Sequence, residues 1–362
     1  MVTTTIRSLT GETAMTVYIG VDFHPHQQTV CWCDPSTGEI QSKNLSHHSP
    51  ELKQFYQEMP SAIIGIEAST NAPWYEALVH ETGHELRVGN PELIRKKATS
   101  RHKSDKRDAE LIFDLLRTDE FPTLWRRDRN SSQVLEILKL RQSFVTQRTQ
   151  VYNRLQALGH AFGLPKSPMK TLAMQTVLKE CPATEAQALQ RTHLFTALEN
   201  LNEQITKLEV WLQQQATAQA QVQLLETQTG VGYLTALAVV HGLGDVTRFT
   251  KVSKQVAAFV GLEPVEKSSA NKVRFGGVSK KGSWIVRYFL GQAGNIAARH
   301  DPFLKGFSKR LGKKKPKAVV KTAVARKLVV KLAIMLRDHI TAAEFDRRGR
   351  TEGNARTEQG RR

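Results

Sequence analysis

The 362 residues are 40% hydrophobic, enough for the cores of two or three globular domains. No apolar run approaches the ~18 residues of a membrane span, Met1 to Ala14 is polar without a signal-peptide core, and three cysteines cannot build a disulfide framework. Composition thus excludes a membrane protein and a disulfide scaffold, and makes the cytoplasm the expected compartment. The net charge of +18 is uneven: residues 267–362 hold 25 Lys and Arg against 6 Asp and Glu, and residues 1–266 hold 27 against 28, so the two segments carry +19 and −1. A basic excess confined to one end is the footprint of a polyanion-binding surface, because each neutralised phosphate releases condensed counterions. Residues 343–362 read as a disordered basic tail, since Arg347–Arg362 lacks large apolar side chains.

In chain order, Thr16–Asp22 is predicted as a strand, Phe23–His26 as a turn and Gln27–Cys33 as a second strand; a turn at Pro35–Gly38 leads to a third strand, Glu39–Leu45. A helix over Pro50–Gln57, a buried-type strand at Ala62–Glu67, a helix over Trp74–Thr82 and a strand at Glu85–Val88 follow. An antiparallel meander followed by alternating helix and strand is the order of an α/β RNase H-like sheet flanked by helices. Val134, Ile137, Phe144, Val151, Leu155 and Leu158 then sit on a heptad seam interrupted by Arg141 and Arg148, and Leu194, Leu198, Leu201, Ile205, Leu208 and Leu212 repeat it after a break at Gly163–Pro168. A coiled-coil hairpin folded on itself and pairing between subunits both satisfy that pattern. From Leu224 the chain reads as a mainly α domain, opening on a helix-hairpin-helix-like turn at Thr229-Gly230-Val231-Gly232, whose glycines could bring amides to a phosphate; a plain interhelical turn has the same signature. A loop from Gly261 to Gly282 and a helix over Lys317–Arg337 complete it. The expected parts are residues 15–128, 129–220, 221–342 and 343–362.

Asp22 ends the first strand and Glu67 the fourth, so neighbouring strands would deliver both carboxylates to one sheet edge. Ser104 is a suitable N-cap for a helix in which Asp105, Asp108, Ala109, Ile112 and Leu116 share one face, predicted to pack inward. An acidic pair beside an apolar stripe is costly without a cation, which favours metal binding over compensation of the helix dipole, although the dipole also favours acids in a first turn. Lys96, Lys97, Arg101, Lys103 and Arg107 crowd the same stretch and are candidate phosphate contacts, as are Arg274, Lys280 and Lys281 near the second loop. His24, His26, Cys31 and Cys33 offer a softer metal set, but HxH and CxC lack the spacing of a structural zinc site, and two histidines in a turn are expected simply to be turn residues. Ser268 and Ser269 lie in a glycine-flanked loop next to basic residues, without an adjacent histidine to act as base.

The segments Tyr18-Ile19-Gly20-Val21-Asp22, Gly65-Ile66-Glu67-Ala68-Ser69, Lys103-Ser104-Asp105-Lys106-Arg107-Asp108-Ala109, and Gly261-Leu262-Glu263-Pro264 through Ser279-Lys280-Lys281-Gly282 together resemble the DEDD insertion-sequence transposases, bridge-RNA-guided serine recombinases related to the pilin-gene invertases. The resemblance spans residues 16–340. It implies a RuvC-like domain in which Asp22, Glu67, Asp105 and Asp108 hold Mg²⁺ (or Mn²⁺), a coiled-coil connection, and a C-terminal transposase domain with Ser269 as nucleophile and Ser268 as the alternative. Ala270 stands where the family usually has glycine. Donor and target DNA, a noncoding guide RNA and a homo-oligomer, dimer or tetramer, are the implied partners. Against this stand a RuvC-type structure-specific endonuclease hydrolysing with two metals, and a non-catalytic nucleic-acid-binding protein.

Overall fold

The computed structural model describes residues 16–68, 73–98, 104–165, 169–266 and 275–349. The chain divides into two compact units, one ending at Arg126 and the other beginning at Arg127.

The first unit is built on strands β1 (Val17–Phe23), β2 (Gln27–Cys33) and β3 (Ile40–Ser46), helix α1 (Pro50–Glu58), β4 (Ala62–Glu67), α2 (Pro73–Glu81), β5 (Glu85–Gly89), α3 (Pro91–Lys97) and α4 (Asp105–Arg117). The strands form one mixed sheet in the order β3-β2-β1-β4-β5; β1 pairs antiparallel with β2, and β1–β4 and β4–β5 are parallel. This is the α/β arrangement expected from the strand pattern. Because side chains alternate across a strand, the sheet has two distinct faces. Val17, Ile19, Val21, Val30, Trp32, Ile64 and Ile66 pack on Leu52, Phe55 and Tyr56 of α1 and on Tyr75 and Val79 of α2. Burial of each such large side chain contributes about 1.5–3 kcal/mol. The opposite face is covered by α4, whose Ala109 and Phe113 meet Cys31, and whose Ile112 and Leu116 meet Ile63.

Two glycines let α4 lie close. A Cβ at Gly20 would stand 2.2 Å from the Ala109 carbonyl oxygen and 2.3 Å from the Phe113 amide nitrogen, and one at Gly65 would stand 2.8 Å from Leu116 Cδ1. Gly20 and Gly65 are paired across β1 and β4, so they form a single trough for the helix.

In the second unit, α5 (Arg129–Ala161), α6 (Leu172–Glu180) and α7 (Glu185–Thr217) precede α8 (Ala220–Glu226), α9 (Tyr233–Leu243), α10 (Val252–Val260), β6 (Pro264–Glu266), β7 (Phe275–Val278), α11 (Trp284–His300), α12 (Pro302–Gly312) and α13 (Lys317–Asp338). The two long helices pack on one another within the chain. The arginines that interrupt the α5 seam find partners on α7: Arg141 donates to Glu209, and Arg148 Nη1 donates to Asn202 Oδ1 at 3.0 Å. Rising numbers on α5 thus meet falling numbers on α7, the antiparallel sense of a hairpin. Where a break alone was expected between them, α6 fills the bend, and its Leu178 packs with Leu155, Leu158, Leu194 and Leu198.

Helices α8 to α13, together with Val134, Leu135 and Leu138 of α5 and Leu212 and Ala216 of α7, enclose a second core around Leu237, Val256, Ile285, Leu290, Leu328 and Leu332. Inside it Lys331 Nζ pairs with Asp346 at 2.6 Å and Asp301 at 3.8 Å, while Asp301 also accepts from Gln228 and caps α12 through Leu304 N. The segment expected as one open loop from Gly261 to Gly282 differs: β6 and β7 pair antiparallel within it. Its base is closed by backbone contact. Gly261 ends α10 at φ +75°, and a Cβ at Gly282 would stand 2.1 Å from the Phe259 carbonyl oxygen. Arg287 donates to the carbonyls of both Val260 and Gly282.

Candidate metal centre and nucleic-acid contacts

Asp22 lies near the end of β1, and Glu67 is the last residue of β4. Val21 pairs with Ile66, so the two acids occupy the next step of the same parallel register. Each is two residues past a trough glycine, Gly20 or Gly65, and the alternation of the strand therefore puts both on the face that α4 covers. Helix α4 begins at this edge. Ser104 caps it as the sequence predicts, accepting from Arg107 N at 3.4 Å, so Asp105 and Asp108 fall in the first turn, where amide dipoles favour negative charge.

The inward placement expected for both helix acids holds only in part. Asp108 is half-buried, but the Asp105 side chain is 52% exposed. At the first position of the helix the chain is still entering the turn, so Asp105 leans across the sheet edge instead of into the apolar stripe that starts at Ala109.

His24 occupies the space between the acids. Its Nε2 is 3.0 Å from Asp22 Oδ2 and 3.6 Å from Asp105 Oδ1. Ligand atoms from Asp22, His24 and Asp105 all lie within 4.8 Å of one another. Sequence reasoning set His24 aside as a turn residue. The overlooked signal was β1 itself, since Gly20, Asp22 and His24 continue one alternation and share a face.

The softer set does not assemble. Cys31 is buried under α4 with its thiol pushed up to about 11 by burial, and His26 instead faces the ring of His48. Burial also raises the Asp22 carboxyl above its ordinary range; His24 opposes the shift and the charges of Asp108 and Asp105 add to it. The desolvated Asp22 carboxylate and that of Asp105, converging with the His24 imidazole nitrogen, are a donor set suited to a divalent cation, and Glu67 and Asp108 do not join that group.

The basic candidates are spread over the surface. Lys96 Nζ lies 2.9 Å from Glu92 and Lys97 Nζ lies 2.6 Å from Glu120, so each holds a carboxylate, while Arg107, Lys280 and Lys281 are exposed. Gly230 has φ +90°, and a Cβ there would stand 2.8 Å from Ala293 O and from Ala297 N, which gives this glycine a packing reason. Gly232 is open, with nothing within 4 Å of a Cβ. Arg101, Lys103, Ser268, Ser269 and Arg274 lie outside the described residues.

Two family models match the chain. Residues 19–159, which contain Asp22, Glu67, Asp105 and Asp108, match the DEDD transposase model of the IS110 group, and residues 222–309 match the transposase IS116/IS110/IS902 family. Over these two stretches the chain is similar to the IS110/IS116 family of DEDD transposases. Among similar proteins, a Pseudomonas aeruginosa protein described as a probable family 20 transposase is 26% identical over 76% of this chain and 84% of its own. The transposase for insertion sequence element IS1111A of Coxiella burnetii is 29% identical over 63% of each chain. The transposase for IS1328 of Yersinia enterocolitica is 26% identical over 71% of this chain and 77% of its own. Among the described residues, no helix of this chain is long and apolar enough to cross a membrane.

Proposed function

We propose that this protein is the transposase of an insertion sequence, cutting and rejoining DNA through Ser269 at a site completed by Asp22, Glu67, Asp105 and Asp108 and guided by a noncoding RNA. The observation that carries the reading is the meeting of Asp22 and Asp105 at one end of the β1–α4 trough, inside the stretch matched by the DEDD transposase model. In this reading residues 15–128 carry the RuvC-like acidic site, 129–220 the assembly hairpin and 221–342 the serine domain. A divalent cation, Mg²⁺ or Mn²⁺, would neutralise phosphate charge at the carboxylates.

The remaining work falls to the chain. Ser269 Oγ attacks a DNA phosphorus; an Oγ–P bond forms, the P–O bond to the adjoining nucleotide breaks, and the leaving oxygen takes up the proton that Oγ gave. Attack by a second DNA hydroxyl on the phosphoserine reverses the exchange and frees the serine. Exposed Lys280 and Lys281 would position the phosphate, and Arg287 keeps their segment docked against α10. The +19 charge of residues 267–362 suits DNA and RNA backbones, leaving sequence recognition to base pairing. Exposed Leu189, Val210 and Trp211 on α7 suit assembly into a dimer or tetramer.

The test is recombination between donor and target plasmids with the cognate RNA and Mg²⁺, followed on denaturing gels for a protein–DNA adduct. Wild type should give an adduct that both Ser269→Ala and Asp108→Asn lose. Cleavage that persists in Ser269→Ala, vanishes in Asp108→Asn and leaves no adduct would replace this reading with a hydrolytic RuvC-like nuclease.

A further inference from the structure

We propose that His24 is a direct ligand of the divalent cation through Nε2, making the site a mixed nitrogen and oxygen centre that prefers Mn²⁺ to Mg²⁺. The inference rests on the metal centre proposed above and adds a residue outside its four carboxylates.

The geometry is that of a coordination face. Atoms bound to one ion at about 2.1 Å and at right angles stand about 3.0 Å apart. Nε2 of His24 is 3.0 Å from Asp22 Oδ2 and 3.6 Å from Asp105 Oδ1, and the three donor atoms lie within 4.8 Å of one another. They come from independent elements: Asp22 from β1, His24 from the turn after it, and Asp105 from the start of α4. A histidine that served only to neutralise Asp22 would need one contact. This one spans the gap between two carboxylates delivered by different elements.

The backbone fixes that position. His24 N donates to Gln27 O at 2.9 Å, which holds the turn between β1 and β2 closed and keeps the ring on the face occupied by Asp22. Replacing one oxygen donor by imidazole nitrogen changes the preference of the site. Mg²⁺ favours carboxylate, carbonyl and water and gains little from nitrogen, whereas affinity of mixed nitrogen sites rises across the first-row transition ions.

The test uses the tag-free full chain loaded with Mn²⁺ and pulsed electron paramagnetic resonance, which detects ¹⁴N bound directly to the ion. Wild type should show the nitrogen coupling. His24→Ala should lose it, with Mn²⁺ affinity by calorimetry falling about tenfold or more and Mg²⁺ affinity falling less. Because residue 24 lies in a half-exposed turn, His24→Asp should fold as wild type does, bind both ions without nitrogen coupling, and shift preference toward Mg²⁺. Mn²⁺ held by wild type without nitrogen coupling, or coupling unchanged in His24→Ala, would overturn the assignment and leave the carboxylate site standing. Wild type that binds no Mn²⁺ would overturn both.

Discussion

Substituting Gly20 by alanine tests whether the trough under α4 assembles the site. The new Cβ would fall 2.2 Å from Ala109 O, 2.3 Å from Phe113 N and 2.8 Å from Phe113 Cα. Non-bonded carbon atoms prefer ~3.5–4.0 Å, so relief requires α4 to rise by about 1 Å. The atoms it meets belong to the helix backbone and cannot rotate aside. Overpacking of this kind costs about 1–3 kcal/mol, and an unyielding neighbour places Gly20→Ala near the upper end. That loss leaves a domain of ordinary stability folded, since total stabilities run ~5–15 kcal/mol. The functional loss should be larger in proportion, because α4 carries Asp105 and Asp108, and a displacement of 1 Å costs about a hundredfold in rate. Gly65→Ala is the internal comparison: its Cβ would meet the tips of Leu116 and Ile112 at 2.8 and 2.9 Å, which can turn away, so about 1 kcal/mol is expected. Urea midpoints and plasmid recombination rates of both variants decide the matter. A Gly20→Ala protein as stable and as active as Gly65→Ala would refute the argument.

Burial holds the Asp22 carboxyl above its ordinary range, so the folded protein keeps this proton to higher pH than the unfolded chain does. Its contribution to stability therefore declines as pH rises from the unfolded value through the raised folded one, and stays lower above it. Asp22→Asn should accordingly make the cation-free protein at least as stable as wild type at pH 7, flatten that decline and abolish cation uptake; a lower urea midpoint than wild type at pH 7 would contradict this. At the α8–α9 turn, Gly230→Ala combines a left-handed backbone with contacts at 2.8 Å and should cost about 3 kcal/mol. Gly232→Ala, in open space, should change stability by less than about 0.5 kcal/mol, so any DNA affinity it loses reports a direct contact. Equal melting temperatures for the two variants would sink the packing account of Gly230.

Local periodicity and local capping were readable along the chain. The strand Gln27–Cys33, the strand Ala62–Glu67, the cap at Ser104 and the apolar stripe of α4 follow from side-chain alternation and from short-range hydrogen bonding, and all stand where expected. The acidic positions were legible for the same reason, since each ends a strand or opens a helix. Relationships between elements depended on distances that no local pattern encodes. The heptads of α5 and α7 allowed either a hairpin or paired subunits, and the choice appears only where Arg141 meets Glu209 and Arg148 meets Asn202. Pairing of β6 with β7 was hidden because three- and four-residue strands are too short to show a period. Asp105 turned outward because its side chain follows the entry of the chain into α4 and not the stripe that begins four residues later. His24 became part of the site only because Gly20 and Gly65, lacking side chains, let α4 settle onto the sheet until its first turn reached the edge of β1. The sequence alone set which residues alternate and which cap; the depth of that contact, governed by steric exclusion between backbones, decided which of them meet.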